Sequence, residues 1–200
     1  MNPQTTMNYE FTYSLSNKYF ATLSYSKTLN NITDILKPIV ENGNIVVVQA
    51  NENLSSASYY GLNLIAPAKI TKWWEMNNSA NFYFGSYTGN ISDTYIKNQG
   101  NFTFDLNSIN SFKIGNGFSA ELTGNYKAKE VYAYMFLKPM WSVNIGAQKK
   151  FKNNSTLKFS FNDIFLTSNP EAKNIYSSYI ENFIVRRDTR VMTLSYTYNF

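Results

Sequence analysis

The stretch Met192-Thr193-Leu194-Ser195-Tyr196-Thr197-Tyr198-Asn199-Phe200 alternates between large apolar and polar side chains. Successive side chains of a β-strand point to opposite faces, so this alternation predicts a strand with one apolar and one polar face. The apolar row consists of Met192, Leu194, Tyr196, Tyr198 and Phe200. The stretch therefore places the chain among β-rich proteins.

The same period of two recurs along the chain. The alternating segments are residues 9–15, 19–25, 60–64, 74–84, 102–106, 118–126, 141–147, 157–161 and 192–200. No segment carries a convincing helical stripe, so we expect essentially no helix beyond short turns. The pattern predicts one all-β unit over residues 1–200, an antiparallel meander of about nine or ten strands.

The predicted connections differ in length. Those at 16–18, 67–72, 109–117 and 148–155 are short or moderate. Those at 28–55, 85–94 and 167–180 are longer, although the link at 128–131 is short. Residues 45–49, inside the first long connection, are a candidate tenth strand.

Composition removes most catalytic chemistry. The chain has no Cys and no His, which excludes disulfides, thiolate or imidazole metal ligands and the Ser-His-Asp arrangement. The carboxylates Glu75, Asp105 and Glu121 fall on polar strand faces with no spacing that pairs them, and Asn162-Asp163 offers too few oxygens for calcium. We expect no enzyme, no cofactor and no metal site.

Charge gives a weaker indication of partners. The net charge is +5 with a pI near 9.2, but the basic residues are scattered. The densest groups are Lys149, Lys150 and Lys152, and Arg186, Arg187 and Arg190. No basic stripe or nucleic-acid motif accompanies them, so nucleic acid is disfavoured as a partner. The polar start of the chain lacks a secretory signal, which implies either retention where the protein is made or a chain without its natural N-terminus.

One apolar face per strand fits either a soluble sandwich or a membrane barrel. Segments of about ten residues, uncharged polar faces and connections of alternating length favour the barrel. Aromatic residues near strand ends, which suit a membrane interface, point the same way. These interface aromatics are Tyr25, Trp73, Trp74 and Tyr126. The alternative is a soluble β-sandwich that binds carbohydrate through its aromatic residues.

Three motifs resemble one family. The stretch ending at Phe200 resembles the final strand of bacterial outer-membrane barrels, which the barrel assembly machinery reads. The run from Lys158 to Phe165 is similar to a strand-end motif of the outer-membrane β-barrel family related to TonB-dependent receptors of Bacteroidota. Leu166 departs from the Asn that usually ends that motif. Trp73-Trp74-Glu75-Met76 resembles the aromatic start of a strand in the same family.

The resemblance implies a bacterial outer-membrane receptor that takes up a nutrient, such as an iron complex or an oligosaccharide. Such receptors have about 22 strands and an N-terminal plug energised by TonB. Neither plug nor TonB-binding segment is found here, so TonB would act only through that missing region. A self-contained small barrel with a structural or adhesive role is the alternative in the same membrane.

Placement in that membrane gives further expectations. Arg186, Arg187 and Arg190 would lie at the outer rim near lipopolysaccharide phosphates, and Lys149, Lys150 and Lys152 at the periplasmic rim. Nine is an odd strand number, whereas single-chain bacterial barrels have even numbers. We therefore expect the chain to be the C-terminal part of a larger barrel.

Overall fold

The computed structural model describes residues 1–91, 94–176 and 180–200, with backbone alone at 36–38, 45 and 47. Its regular structure is all β; within the described residues there is no helix, and hence none long and apolar enough to cross a membrane. The strands are β1 (Thr5–Leu15), β2 (Tyr19–Glu41), β3 (Asn44–Lys69), β4 (Trp74–Ile91), β5 (Thr94–Gly115), β6 (Phe118–Lys127), β7 (Glu130–Tyr132), β8 (Met135–Leu137), β9 (Met140–Lys150), β10 (Ser155–Phe161), β11 (Glu171–Ile175), β12 (Ile180–Ile184) and β13 (Met192–Tyr198).

Nine strands form one antiparallel sheet in the order β1-β2-β3-β4-β5-β6-β9-β10-β13. They contain eight of the nine segments that alternation predicts and all but the last two residues of the ninth, so the predicted all-β meander is confirmed. The register keeps each apolar row together: Leu62 faces Phe82 on β4, and Phe82 faces Phe104 on β5. One face of the sheet is therefore apolar across its width and the other is mostly polar.

On one side of the sheet, short turns at residues 16–18, 70–73, 116–117 and 151–154 join these strands. The predicted turn at 109–117 is much shorter than expected, because β5 continues to Gly115. Asn116 and Gly117 have φ of 48° and 79°, the positive values that a two-residue hairpin of this twist requires.

The opposite side is β-structured where sequence predicted long connections. The prediction for 28–55 is wrong: β2 and β3 continue as one hairpin to a turn at Asn42-Gly43. Residues 45–49 belong to this hairpin rather than to a separate tenth strand. Pro38 is tolerated because β1 pairs with β2 only as far as Leu29, so its missing N–H faces an open edge. Residues 85–91 likewise extend β4.

The other two long-side connections build a second sheet. The link predicted to be short at 128–131 leads into the β7–β8 hairpin, and the region 167–180 contains β11. These strands pair with β12 in the order β12-β11-β8-β7. We call this four-stranded sheet, with the extended ends of β2–β5, the cap.

Large apolar side chains of the main sheet are exposed. Leu194 is 70% exposed, Phe102 61% and Leu23 55%. The described hydrophobic core lies instead in the cap, where Ile35, Leu54, Tyr87, Ile96 and Tyr134 are among the members. A soluble sandwich would bury its apolar sheet face, so exposure of this face contradicts the sandwich alternative and fits a lipid-facing surface.

The cap packs on the polar face of the main sheet. Asn101 and Gln99, which share that face on β5, hydrogen-bond the β7–β8 region: the Asn101 side chain accepts from Val131 N at 2.6 Å, and Gln99 donates to Ala133 O at 2.7 Å. Within the cap, the Tyr134 hydroxyl in the β7–β8 turn donates to Asp34 O in the extended end of β2 at 3.0 Å. The cap therefore covers one end of the polar face.

The described main sheet is open, with β1 and β13 as its edges. Both strands run from the cap side toward the short-turn side. Every residue of both strands is exposed. Since the two edges run in the same direction, they cannot pair antiparallel with each other.

Candidate ligand-binding surface on the polar face

A polar wall lies on the sheet beneath the cap. Alternation places Asn81 on β4, Asp105 on β5 and Asn125 on β6 on one face, opposite the apolar rows. Ser142 of β9 extends the wall, since it pairs directly with Asn125. The wall therefore uses four adjacent strands, each contributing uncharged hydrogen-bonding groups or a single charge.

Amide side chains form a ladder across the wall. Asn107 Nδ2 donates to Asn125 Oδ1 at 2.6 Å, and Asn125 Nδ2 donates to Ser142 Oγ at 3.3 Å. Each amide still has donor or acceptor capacity that the ladder does not use. The wall can thus present both donors and acceptors to a solute.

Charges near the wall are compensated. Lys127 Nζ lies 2.8 Å from Glu130 Oε2, and Asp105 is the cross-strand partner of Lys127. Asn81 hydrogen-bonds the Asp105 carboxylate, whose Oδ1 is buried without a partner in the described part of the chain. The hydroxyl of the neighbouring Thr103 is likewise buried without a hydrogen-bond partner in the described part of the chain. Both atoms are buried within the sheet and are not presented to a solute on the wall.

The wall borders a pocket of about 220 Å³. Asn81, Asp105, Asn107, Lys127 and Ser142 are among its lining residues, together with Met140 and Ser168. The lining polar groups are nearly all uncharged or paired, and Leu106, Tyr126 and Trp141 add apolar and aromatic surface beside them. This combination suits a neutral solute that has both polar and apolar faces.

Tyrosines make the contact between the cap and the wall. The Tyr59 and Tyr87 hydroxyls hydrogen-bond each other, and the Tyr87 and Tyr132 rings meet edge-on with centroids 4.9 Å apart. Tyr83 hydrogen-bonds Glu130 at the start of the β7–β8 hairpin. Burial raises the pKa of Tyr87, which lies beyond the spanning part of β4, so its hydroxyl stays neutral. The cluster is a packed scaffold for the cap rather than an exposed binding platform.

The predicted interface aromatics lie at two heights along the strands, one near the short turns and one nearer the cap. Trp73 and Trp74 lie at the short-turn side, with ring centroids 6.3 Å apart, and Trp74 Nε1 donates to Asn110 Oδ1 at 3.1 Å. Tyr25 packs on Tyr60 nearer the cap, and Tyr126 packs on Phe104 in the apolar face. All four belong to the exposed or half-buried surface of the sheet.

The terminal motifs fall on opposite sides. Arg186, Arg187 and Arg190 lie on the cap side, between β12 and β13, where Arg187 N donates to Asn169 Oδ1 at 3.1 Å. Met192, Leu194, Tyr196 and Tyr198 form the apolar row of β13. Phe200 follows at the short-turn side, where Asn199 N donates to Asn154 O.

Sequence reasoning missed the role of Asp163. This residue is 3% exposed and accepts hydrogen bonds from Thr167 N and Ser168 N, both at 3.0 Å, and from Thr189 Oγ1 at 2.6 Å. Burial raises the pKa of Asp163, but these hydrogen bonds outweigh it and leave the pKa below its ordinary value. Asp163 thus ties the loop after β10 to the segment before β13. The sequence feature that could have indicated this role is the position of Asp163 within the strand-end motif from Lys158 to Phe165.

An exposed apolar sheet face, a polar opposite face and short turns on one side define an outer-membrane β-barrel protein. Residues 1–198 match the outer membrane protein beta-barrel family, and the chain belongs to that family. Its location is the bacterial outer membrane, with the short turns on the periplasmic side. No curated protein and no solved structure matches the chain.

Proposed function

We propose that the protein is a non-enzymatic uptake receptor, related to TonB-dependent receptors, that binds a nutrient on the polar face beneath the cap. The observation that carries this proposal is the pocket of about 220 Å³ on the polar face, whose lining residue Lys127 pairs with Glu130 of the cap. Family membership supports the outer-membrane barrel, and the resemblance of the motif from Lys158 to Phe165 supports the relation to TonB-dependent receptors. TonB would act through a plug domain that lies outside the described sheet.

The ligand class that the wall favours is a neutral polyhydroxylated solute, such as an oligosaccharide. Hydroxyl groups both donate and accept, as do the Asn107, Asn125 and Ser142 side chains. A charged iron complex would meet Lys127 already paired with Glu130 at 2.8 Å. The polar face therefore offers a dense set of hydrogen bonds and little unpaired charge.

Closure of the barrel is part of the same proposal. Unpaired backbone groups in lipid cost several kcal/mol each, so both exposed edges require partner strands. We propose that strands additional to those of the described sheet pair with β1 and β13. Residues 1–200, expressed alone and refolded in detergent, should not give a stable closed barrel. A monodisperse, heat-modifiable, protease-resistant monomer would contradict this and favour the small self-contained barrel.

Assembly partners follow from the same placement. The row ending at Phe200 supports recognition by the barrel assembly machinery. The position of Arg186, Arg187 and Arg190 on the cap side supports the proposal that these residues bind lipopolysaccharide phosphates.

Calorimetry on the purified full-length protein tests the ligand class. We expect short neutral oligosaccharides to bind and ferric complexes to bind more weakly or not at all. Asn125→Ala removes the centre of the amide ladder and should weaken binding about tenfold, the loss expected for one or two hydrogen bonds. Asn8→Ala on β1, away from the pocket, is the control. Tight binding of ferric complexes that is unaffected by Asn125→Ala would overturn the proposal.

Cells supply the test of energisation. We expect uptake of the bound oligosaccharide to stop when TonB is deleted while binding to cells persists. Uptake that continues without TonB would identify a passive channel instead.

A further inference from the structure

Two groups of lysines lie on the periplasmic rim, and they differ in whether a nearby carboxylate balances their positive charge. The first group consists of Lys69, Lys72 and Lys113. Glu75 Oε1 lies 3.0 Å from Lys113 Nζ and 3.8 Å from Lys69 Nζ. The second consists of Lys149, Lys150 and Lys152. In the described residues no carboxylate lies within ion-pair distance of these three side chains. The second group therefore carries uncompensated positive charge at the membrane edge.

The end of β9 directs part of this charge toward lipid. Lys149 continues the outward-facing row of Ile145 and Ala147. Its Nζ lies 3.9 Å from the centroid of the Phe118 ring and 6.0 Å from that of Phe151. Both rings are substantially exposed, at 50% and 44%. An ammonium group flanked by apolar rings at a strand end suits the boundary between headgroups and acyl chains.

Two turns form a cradle around the lysines. A concavity of about 540 Å³ is lined by Asn116, Gly117, Lys149, Lys150, Phe151 and Lys152. Lys150 N donates to Gly117 O at 2.9 Å, and Lys149 Nζ donates to Asn116 O at 2.6 Å. A Cβ on Gly117 would lie 2.3 Å from Lys150 O, so only glycine permits this approach of the two turns. These contacts fix the Lys149 ammonium group and the Lys150 backbone beside the Asn116-Gly117 turn.

We propose that this cradle, which we call the rim cradle, binds the phosphate headgroup of an anionic phospholipid in the periplasmic leaflet. The lysines supply charge complementary to the phosphate, and Phe118 and Phe151 lie where the upper acyl chain begins. Lys149 Nζ has spent one donor on Asn116 O, which leaves two for phosphate oxygens. The site depends on membrane placement and not on the proposed uptake of a nutrient.

Native mass spectrometry of the full-length protein in detergent tests the site. Phosphatidylglycerol is titrated against phosphatidylcholine, which has similar chains but no net charge. We expect wild-type protein to retain phosphatidylglycerol preferentially. A triple variant, Lys149→Gln, Lys150→Gln and Lys152→Gln, should lose at least tenfold in affinity, since each lysine near an anionic surface contributes about fivefold.

A matched variant removes the same charge elsewhere on the rim. Lys69→Gln, Lys72→Gln and Lys113→Gln should change phosphatidylglycerol affinity by less than about threefold, because Glu75 pairs with two of these lysines and lowers the net charge of the group. Equal losses in both triple variants would overturn a defined site and leave general rim electrostatics. Unchanged affinity in the first variant would also overturn it and direct attention to an acidic periplasmic protein as the partner of these lysines.

Two controls complete the design. Heat modifiability verifies that each variant is folded, and the single change Lys152→Gln, in an exposed turn, serves if the triple variant does not fold. We expect that variant to lose about fivefold. Inorganic phosphate at millimolar concentration separates lipid from free anion. Failure of phosphate to displace phosphatidylglycerol supports recognition of the whole headgroup, whereas full displacement would overturn it.

Discussion

Phe104→Arg is the substitution most sensitive to the assigned faces. Phe104 lies on the apolar face of β5, with its ring centroid 6.1 Å from that of Phe82 and 5.7 Å from that of Tyr126. Phe102 and Leu106 extend the same row on either side. An arginine at this depth would be surrounded by acyl chains and aromatic rings. The adjacent outward-facing positions on β4, β5 and β6 carry no carboxylate that could pair with it.

The expected penalty is about 2–4 kcal/mol in the free energy of unfolding, the range for Arg near the bilayer midplane. Thr123→Arg puts the same charge on the polar face of β6 and should change stability by less than about 1 kcal/mol. Thr103→Ser should also have a small effect. Asn101→Ser, in contrast, removes an acceptor for Val131 N and a donor to Lys129 O, and should cost about 1–3 kcal/mol.

Urea unfolding of the full-length protein in phospholipid vesicles, followed by tryptophan fluorescence, measures these values. The reasoning is refuted if Phe104→Arg is as stable as wild type, or if Thr123→Arg is destabilised as much as Phe104→Arg.

Three further predictions concern assembly, the cap and the rim. Changing Tyr198 and Phe200 to Ser should reduce the heat-modifiable barrel in the outer-membrane fraction, and an unchanged yield would count against a C-terminal recognition signal. Asp163→Asn should expose the cap-side loops to protease. Because the pKa of Asp163 is lowered in the folded protein, its carboxylate stabilises the fold above about pH 4, and this stabilisation is lost as the pH falls further. The protease resistance of the variant should therefore lack the part of the wild-type loss that occurs below about pH 4. Gly117→Ala should destabilise by at least about 1 kcal/mol in the same urea assay, given a φ of 79° and the 2.3 Å approach to a facing carbonyl, whereas Gly124→Ala, with open space around it, should not.

Sequence alone was sufficient for the main sheet because each spanning strand must separate lipid from a polar interior. That requirement imposes a period of two on every crossing, as in residues 102–106 and 192–200. Outside the membrane the requirement ends. Residues 28–55 lose the regular alternation and contain Pro38 and Gly43, so they were predicted to be a connection although they pair as a hairpin.

The cap depends on contacts between distant segments. Ile35, Tyr87, Tyr134 and Tyr176 share one buried cluster, and no local pattern indicates that these four positions meet. The candidate site shows the same division. Alternation placed Asp105 on the polar face, but its position beside Lys127 follows from the strand register, which short-range patterns do not specify.

Labelling along β5 tests the central claim, that the apolar face meets lipid and the polar face lines the interior. The chain has no Cys, so single cysteines can be placed at residues 102 to 107 without background. In vesicles of brominated phospholipid the account predicts alternation: a fluorophore attached at 102, 104 or 106 is quenched by the brominated acyl chains, and a fluorophore attached at 103, 105 or 107 is not. Quenching in the opposite phase, or equal quenching at all six positions, would contradict the account.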